Sequence, residues 1–121
     1  MKDNSCSCSE STARTVFSCS GAADLGEITD KVARKMHVEN VRQMKCLAFI
    51  SADIEEMIDS VRDTDMLVID GCKLDCGKLT MERNGIKKFK HLRLTDLGYA
   101  KGKTPVESGI VKQIAEIASA Y

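Results

Sequence analysis

Cysteine is the residue type with the most chemical potential in this sequence, since six cysteines occur among 121 residues. Two of them, Cys72 and Cys76, stand in the stretch MLVIDGCKLDCG, where an apolar run gives way to a turn. Three residues separate this pair, so it lacks the Cys-x-x-Cys spacing of a redox dithiol or a zinc knuckle. In a reducing compartment, cysteines in turns indicate metal ligation or thiol catalysis more than disulfide formation. Other residues must therefore complete a site around this pair.

The composition indicates one domain without an electrostatic preference for nucleic acid. A chain of 121 residues is long enough for a single hydrophobic core. Its 18 basic and 18 acidic residues leave no basic excess for a phosphate backbone. The start lacks the apolar core of a secretory signal, and no apolar run approaches the roughly 20 residues that span a bilayer. We therefore expect a cytoplasmic protein without nucleic-acid or membrane partners, and we leave open a protein partner or a homo-oligomer.

The chain divides into residues 1–12 and residues 13–121. The first segment is rich in serine and almost lacks large apolar side chains, so we expect a mobile tail. Its Cys6 and Cys8 form a Cys-x-Cys pair, which is either a flexible accessory clamp for a metal or an incidental pair of thiols. We expect residues 13–121 to form a single α/β metal-binding domain.

Four strand–helix units follow one another in the second segment. The predicted strands are residues 15–19, 44–50, 65–70 and 91–96. Apolar residues at helical spacing follow each strand, and in the first helix they are Leu25, Ile28, Val32 and Met36. Because parallel strands need crossover connections, this series predicts a mostly parallel four-stranded sheet with helices on both faces. The fold class is a small three-layer α/β fold, Rossmann-like or flavodoxin-like, with its strand order undetermined.

Four cysteines fall close to the carboxyl ends of these strands. Cys19 ends the first strand, and Cys46 lies within the second, towards its end. Cys72 directly follows the third strand, and Cys76 falls in the first turn of the next helix. The carboxyl ends of parallel strands share one edge of the sheet, where ligands of such folds bind. We therefore expect these four thiols to converge on one patch.

Such a patch suits a thiophilic metal. Three or four thiolates around a small volume match the tetrahedral sulfur coordination of Zn²⁺, at about 2.3 Å. An iron–sulfur cluster is a less favoured alternative. We predict a metal-binding protein, with zinc as the favoured metal, that acts in metal sensing, storage or transfer. The alternative is a thiol-dependent enzyme that uses Cys19 or Cys72 as an activated nucleophile, with the other cysteines resolving it.

A phosphatase-like interpretation of Cys19 loses its main support in the following loop. Low-molecular-weight tyrosine phosphatases and arsenate reductases place their nucleophile after a first strand, in a Cys-x5-Arg loop. The sixth residue after Cys19 is Leu25, and the loop contains Asp24, which repels phosphate. The sequence therefore disfavours that chemistry.

Four segments resemble a known family. CSGAADLGEI, KCLAFI, VIDGCKLDCGK and LTDLGYAKGK occur in this order between about residues 14 and 105. Together they resemble the DGC family of small proteins, named for its Asp-Gly-Cys motif. The resemblance implies zinc binding through four cysteines, which by motif fall on Cys19, Cys46, Cys72 and Cys76. It implies no established enzymatic activity, so it strengthens the site more than the function.

The predicted ligand set has alternatives at Cys46. If Cys46 points into the core, three thiols remain and water could complete the coordination. Asp70 and Asp96 are the nearest accessory ligands, because both are expected at strand ends. Each aspartate is otherwise a helix cap or a turn residue.

The histidines and the late lysines are weaker candidates. We expect His37 and His91 to be surface or helix-end residues away from the cysteine edge. Lys101 and Lys103 follow the fourth strand at the carboxyl edge, where they could attract an anion or a thiolate-rich partner.

Overall fold

The computed structural model describes residues 12–121, which build a four-stranded parallel sheet between two layers of helices. The strands are β1 (Arg14–Ser18), β2 (Gln43–Met44), β3 (Asp65–Asp70) and β4 (Lys90–Arg93). The helices are α1 (Asp24–Val38), α2 (Leu47–Ser51), α3 (Glu55–Val61), α4 (Cys76–Arg83) and α5 (Ser108–Ala118). A 3₁₀-helix, Leu94–Leu97, directly follows β4.

The strand order is β2-β1-β3-β4, and every neighbouring pair is parallel. Helices connect successive strands, as parallel pairing requires. The predicted three-layer α/β fold is confirmed. The order also resolves what the sequence left undetermined, because it places β1 and β3 side by side at the centre of the sheet.

Alternation along the two central strands divides the core into two halves. Val16, Leu67 and Ile69 face the layer that contains α1 and α5. Phe17 and Val68 face the opposite layer, which contains α2, α3 and α4. Because both faces of β1 and β3 are covered, four of the five residues of β1 are buried and β3 contains an unbroken apolar run, Met66–Ile69.

The first helix agrees with its predicted apolar stripe. Leu25, Ile28, Val32 and Met36 are all essentially fully buried. Acidic side chains lie in the first turn of α1 and basic ones in its last turn, which favours the helix dipole. None of the helices between residues 12 and 121 combines the length and the apolar character needed to cross a bilayer.

The second and fourth strands were predicted too long. The apolar run at residues 44–50 is a two-residue strand followed by α2, in which Phe49 and Ile50 are buried. A short apolar run cannot be assigned to strand or helix by periodicity alone, and here the helix places those side chains against the α2–α4 layer. The fourth strand was predicted to run to residue 96, but it ends at Arg93. The residues after Arg93 form the 3₁₀-helix.

The amino edge of the sheet is held by one buried arginine. The Arg42 side chain is fully buried, and its guanidinium donates hydrogen bonds to the main-chain carbonyls of Thr15 (2.9 Å), Asp65 (2.6 Å) and Tyr121 (3.0 Å). It also lies 3.4 Å from the Asp65 carboxylate. Burial lowers the pKa of Arg42 from its ordinary value, against the opposing attraction of Asp65. Arg42 thus joins the starts of β1 and β3 to the end of the chain.

Candidate functional site

A crevice opens at the carboxyl edge, where the chain leaves β1 and β3. These adjacent strands send their next helices to opposite faces of the sheet, because α1 packs in one half of the core and α4 in the other. Such a switch point is where open α/β sheets bind ligands. A cavity of about 120 Å³ lies there, between the loop that precedes α1 and the loop that precedes α4.

Three of the four predicted cysteines line this crevice. Cys19 comes from the loop after β1, Cys72 comes from the loop after β3, and Cys76 is the first residue of α4. Cys19 and Cys72 are partly buried, whereas Cys76 is exposed. The sheet edge thus brings together thiols that are far apart in sequence, as the topology argument expects.

Cys46 stands apart from the other three. It is exposed and precedes the first residue of α2, so its predicted position within the second strand is wrong. It shares with Cys19 a second cavity of about 420 Å³, which Asp30 and Arg34 also line. Cys19 is therefore the thiol that the two cavities have in common. Cys6 and Cys8 lie outside the described residues.

The donor set of the crevice fits Zn²⁺ chemically, although the thiols are not gathered tightly. Within residues 12–121, no three cysteine sulfurs lie within 4.8 Å of one another. Sulfurs that share one tetrahedral zinc ion stand roughly 3.8 Å apart, given Zn–S bonds of about 2.3 Å. Ligation by Cys19, Cys72 and Cys76 therefore requires their side chains to turn towards one another.

The Cys19 thiol is held by the first turns of α1. Its Sγ lies 3.4 Å from Thr29 Oγ1, whose hydroxyl donates to the Gly26 carbonyl at 2.7 Å. With its own proton committed, the Thr29 oxygen accepts hydrogen bonds from the Ser20 N–H, at 3.2 Å, and from the Cys19 thiol. The arrangement orients Cys19 and satisfies the thiol in its protonated form.

The three residues of the Asp-Gly-Cys motif have separate physical tasks. Asp70 is buried and its carboxylate accepts hydrogen bonds from the N–H groups of Gly77 (2.7 Å) and Lys78 (3.0 Å), which caps α4. At Gly71, a Cβ would lie 2.9 Å from the Leu25 Cβ, so only glycine lets this turn approach the start of α1. Cys72 then follows at the crevice. The aspartate therefore acts as a helix cap in this conformation.

A polar cluster that the sequence analysis missed braces the loop of Cys72 and Cys76. His91 Nε2 lies 2.8 Å from the Asp70 carboxylate and 3.7 Å from that of Asp75. Arg93 binds Asp75 through two hydrogen bonds, at 2.6 and 2.8 Å, and these hold the pKa of Asp75 below its ordinary value. The prediction that His91 lies away from the cysteine edge is wrong. The signal was the alternation of β4, which directs His91 to the same face as its neighbour Val68.

This cluster braces the loop and is poorly suited to a cation. Asp70, Asp75 and His91 bring their ligand atoms within 4.8 Å of one another. However, the Arg93 guanidinium already contacts both oxygens of Asp75 and repels a second positive charge. Asp96 completes the same network, with an oxygen 3.2 Å from Arg93. Both predicted accessory aspartates thus have hydrogen-bonding partners within the protein.

The loop at residues 98–105 closes one side of the crevice. Lys101 lines the cavity, and its Nζ lies 3.8 Å from Cys72 Sγ. Asp24, at the start of α1, accepts hydrogen bonds from the N–H groups of Gly102 (2.8 Å) and Thr104 (3.0 Å). These bonds lower the pKa of Asp24. The loop is therefore fastened to the same helix start that carries the Cys19 side of the crevice.

Comparison with known proteins agrees with the resemblance of the motifs. The chain is 26% identical over 87 residues to the anaerobic and virulence modulator AnvM of Pseudomonas aeruginosa. The match covers 71% of this chain and 66% of the relative, which is slightly less than two thirds of its length. No solved structure matches the chain. The family model of the DGC domain matches residues 15–120. The chain therefore belongs to the DGC domain family.

Proposed function

We propose that this protein is a small cytoplasmic metal-binding protein that holds Zn²⁺ in the crevice at the carboxyl edge. The observation that carries the proposal is the meeting of Cys19, Cys72 and Cys76 around one cavity. The helix starts that border this edge of the sheet favour the thiolate form of nearby cysteines. Thiolates in turn bind a divalent cation such as Zn²⁺. Zinc is favoured over an iron–sulfur cluster, because the crevice is small and three thiols line it.

In this proposal, the fourth coordination position of the zinc is either filled by Cys46 or left open. The thiol is exposed and shares a cavity with Cys19, and its ligation would require the short segment between β2 and α2 to move towards the crevice. When Cys46 is away, an external donor takes the fourth position, as in zinc sites that keep an open coordination position. A site with three fixed ligands and one adaptable ligand suits the exchange of a metal better than permanent storage.

A regulatory role is the context that we propose for metal binding. The relative AnvM is named as a modulator, and the described part of this chain places its thiols at a surface crevice rather than in the core. A metal at such a position is accessible to exchange and its presence alters an exposed surface. We therefore favour metal sensing over storage.

Metal content and site variants test this proposal. Protein purified without oxygen is expected to contain about one zinc per chain by elemental analysis, and its cobalt form is expected to show thiolate-to-metal absorbance. Cys72→Ser is expected to abolish tight binding, whereas Cys46→Ser retains the metal with a weaker affinity. As a control, thermal unfolding is measured in chelator. Both halves of the core are apolar, so we expect the metal-free protein to unfold cooperatively, which shows that it was folded without metal. Wild-type protein that binds neither zinc nor cobalt would contradict the proposal.

A thiol-dependent enzyme is the second candidate, and the contact between Lys101 and Cys72 favours it. An ammonium group 3.8 Å from a sulfur stabilises a negative charge there. If the crevice is an active site, partly buried Cys19 or Cys72 should react with iodoacetamide faster than exposed Cys46 and Cys76, in metal-free protein near neutral pH. Rates that simply follow exposure, with the unfolded chain as the reference, would argue against catalysis.

A further inference from the structure

The thiol crevice contains one basic side chain, and a separate carboxylate fixes its position. We propose that Lys101 offsets the negative charge of the metal–thiolate centre and that Asp24 is the residue that positions Lys101; this inference rests on the proposed zinc site. Lys101 is neither a ligand nor part of the sheet, so its role is electrostatic. It makes metal retention depend on a loop that is distant in sequence from every cysteine.

Charge balance supplies the first part of the argument. A divalent ion with three thiolates has one net negative charge, and with four thiolates it has two. Among the described residues that line the cavity, Lys101 carries the one side chain with a positive charge, and the others besides the cysteines are apolar. An apolar wall does not stabilise that negative charge, whereas the ammonium 3.8 Å from Cys72 Sγ does.

The hydrogen bonds of Asp24 supply the second part. Its two oxygens accept from the main-chain N–H groups of Gly102 and Thr104, which lie one and three residues after Lys101 in the chain. The Thr104 hydroxyl donates to the Ala100 carbonyl at 2.7 Å, so the turn around Lys101 is also closed on itself. The fixed turn limits how far the flexible lysine side chain departs from Cys72. Asp24 and the Lys101 turn thus join two of the sequence motifs, CSGAADLGEI and LTDLGYAKGK.

Removal of the lysine charge tests the electrostatic role. In buffer of about 0.05 M ionic strength, Lys101→Met is expected to weaken Zn²⁺ affinity about fivefold, as measured by competition with a chromophoric chelator. Lys101→Arg is expected to retain the affinity within about twofold. Lys103→Met is the matched control, because it removes the same charge two positions away. Equal effects of Lys101→Met and Lys103→Met would overturn the assignment.

Salt and spectroscopy separate an electrostatic role from a structural one. In about 1 M potassium nitrate the Debye length falls to about 3 Å, so the roughly fivefold difference between wild type and Lys101→Met should shrink to about twofold. The thiolate-to-cobalt absorbance of the loaded variant should keep the wild-type band positions, because the ligands are unchanged. A difference in affinity that stays about fivefold in high salt, or a shifted cobalt spectrum, would show instead that Lys101 shapes the site.

A double-mutant cycle tests Asp24. Asp24→Asn is expected to weaken Zn²⁺ affinity in the wild-type background. The amide has one acceptor oxygen, so it cannot accept both loop N–H groups as the two carboxylate oxygens do. It should cause no further weakening in the Lys101→Met background, because a positioning residue acts only through the group that it positions. Additive losses would overturn the role of Asp24. If wild-type protein binds no Zn²⁺, the proposed function fails; if it binds and Lys101→Met binds equally well at low salt, this inference alone fails.

Discussion

The two edges of the same parallel sheet use polar groups in opposite ways. At the amino edge, the guanidinium of Arg42 is fully buried and donates hydrogen bonds to the main-chain carbonyls of Thr15 and Asp65. At the carboxyl edge, Cys19, Cys72 and Lys101 line a crevice, and the Lys101 ammonium lies beside the Cys72 thiol. The comparison indicates that the amino edge stabilises the fold, whereas the carboxyl edge leaves its reactive groups available to a ligand.

Replacement of Arg42 should have the largest effect and should separate the two edges. Arg42→Met removes the donor to three main-chain carbonyls, so we expect the free energy of unfolding to fall by about 3 kcal/mol. Chemical denaturation measures this loss. The surface variant Arg62→Met is the control, since among residues 12–121 Arg62 forms an ion pair only with exposed Asp59. At a temperature where the variant is folded, its Zn²⁺ stoichiometry should equal that of wild type; a loss of metal there would contradict the division between the edges.

Replacement of Gly71 should affect both stability and the site. Gly71→Ala places a Cβ 2.9 Å from the Leu25 Cβ and 3.1 Å from the Leu25 carbonyl carbon, so the turn and the start of α1 must separate. We expect a loss of about 1 to 3 kcal/mol in unfolding free energy together with weaker Zn²⁺ binding. Gly109→Ala is the matched control, because in the described part of the chain a Cβ there would meet no atom within 4 Å outside its own helix turn. Normal metal affinity in the destabilised Gly71 variant would show that the two walls of the crevice act independently.

Acid should weaken the brace of the Cys72–Cys76 loop, with a smaller effect. Arg93 lowers the pKa of Asp75 from 3.8, so the stabilisation from this pair is fully present above that value and is lost as pH falls through the lower pKa of the folded state. Asp75→Asn should therefore flatten the dependence of unfolding free energy on pH below about 4. Denaturation at several pH values compares the two proteins. An unchanged pH slope would show that the pair contributes nothing to stability.

The fold was predictable because its main signals are local. The stripe of Leu25, Ile28, Val32 and Met36 matches the helical period, and the apolar run of β3 is bounded by residues that form turns. Strand order was not predictable, since it depends on which edges pair across the whole chain. The run around Phe49 was misassigned because burial on the α2–α4 side selects helix over strand there, and burial is a tertiary effect.

The site was predictable as a location, while its contacts were not. Topology alone places Cys19 and Cys72 at the same edge of the sheet. The contact of Lys101 with Cys72 depends on the hydrogen bonds of Asp24 to a loop far away in sequence, and no local pattern encodes such bonds. Cys46 was placed in a strand because the strand itself was too long. The quartet of cysteine ligands stays a prediction.

Because β1 and β3 are adjacent, a ligand in the crevice can contact the segments that lead into two different helices. One wall, at residues 21–26, continues into α1, and the other, at residues 71–76, continues into α4. These helices cover opposite faces of the sheet. A ligand that contacts both walls connects the start of α1 to the start of α4, and its release removes that connection. The binding of a single small ion would therefore affect helices on both faces of the sheet.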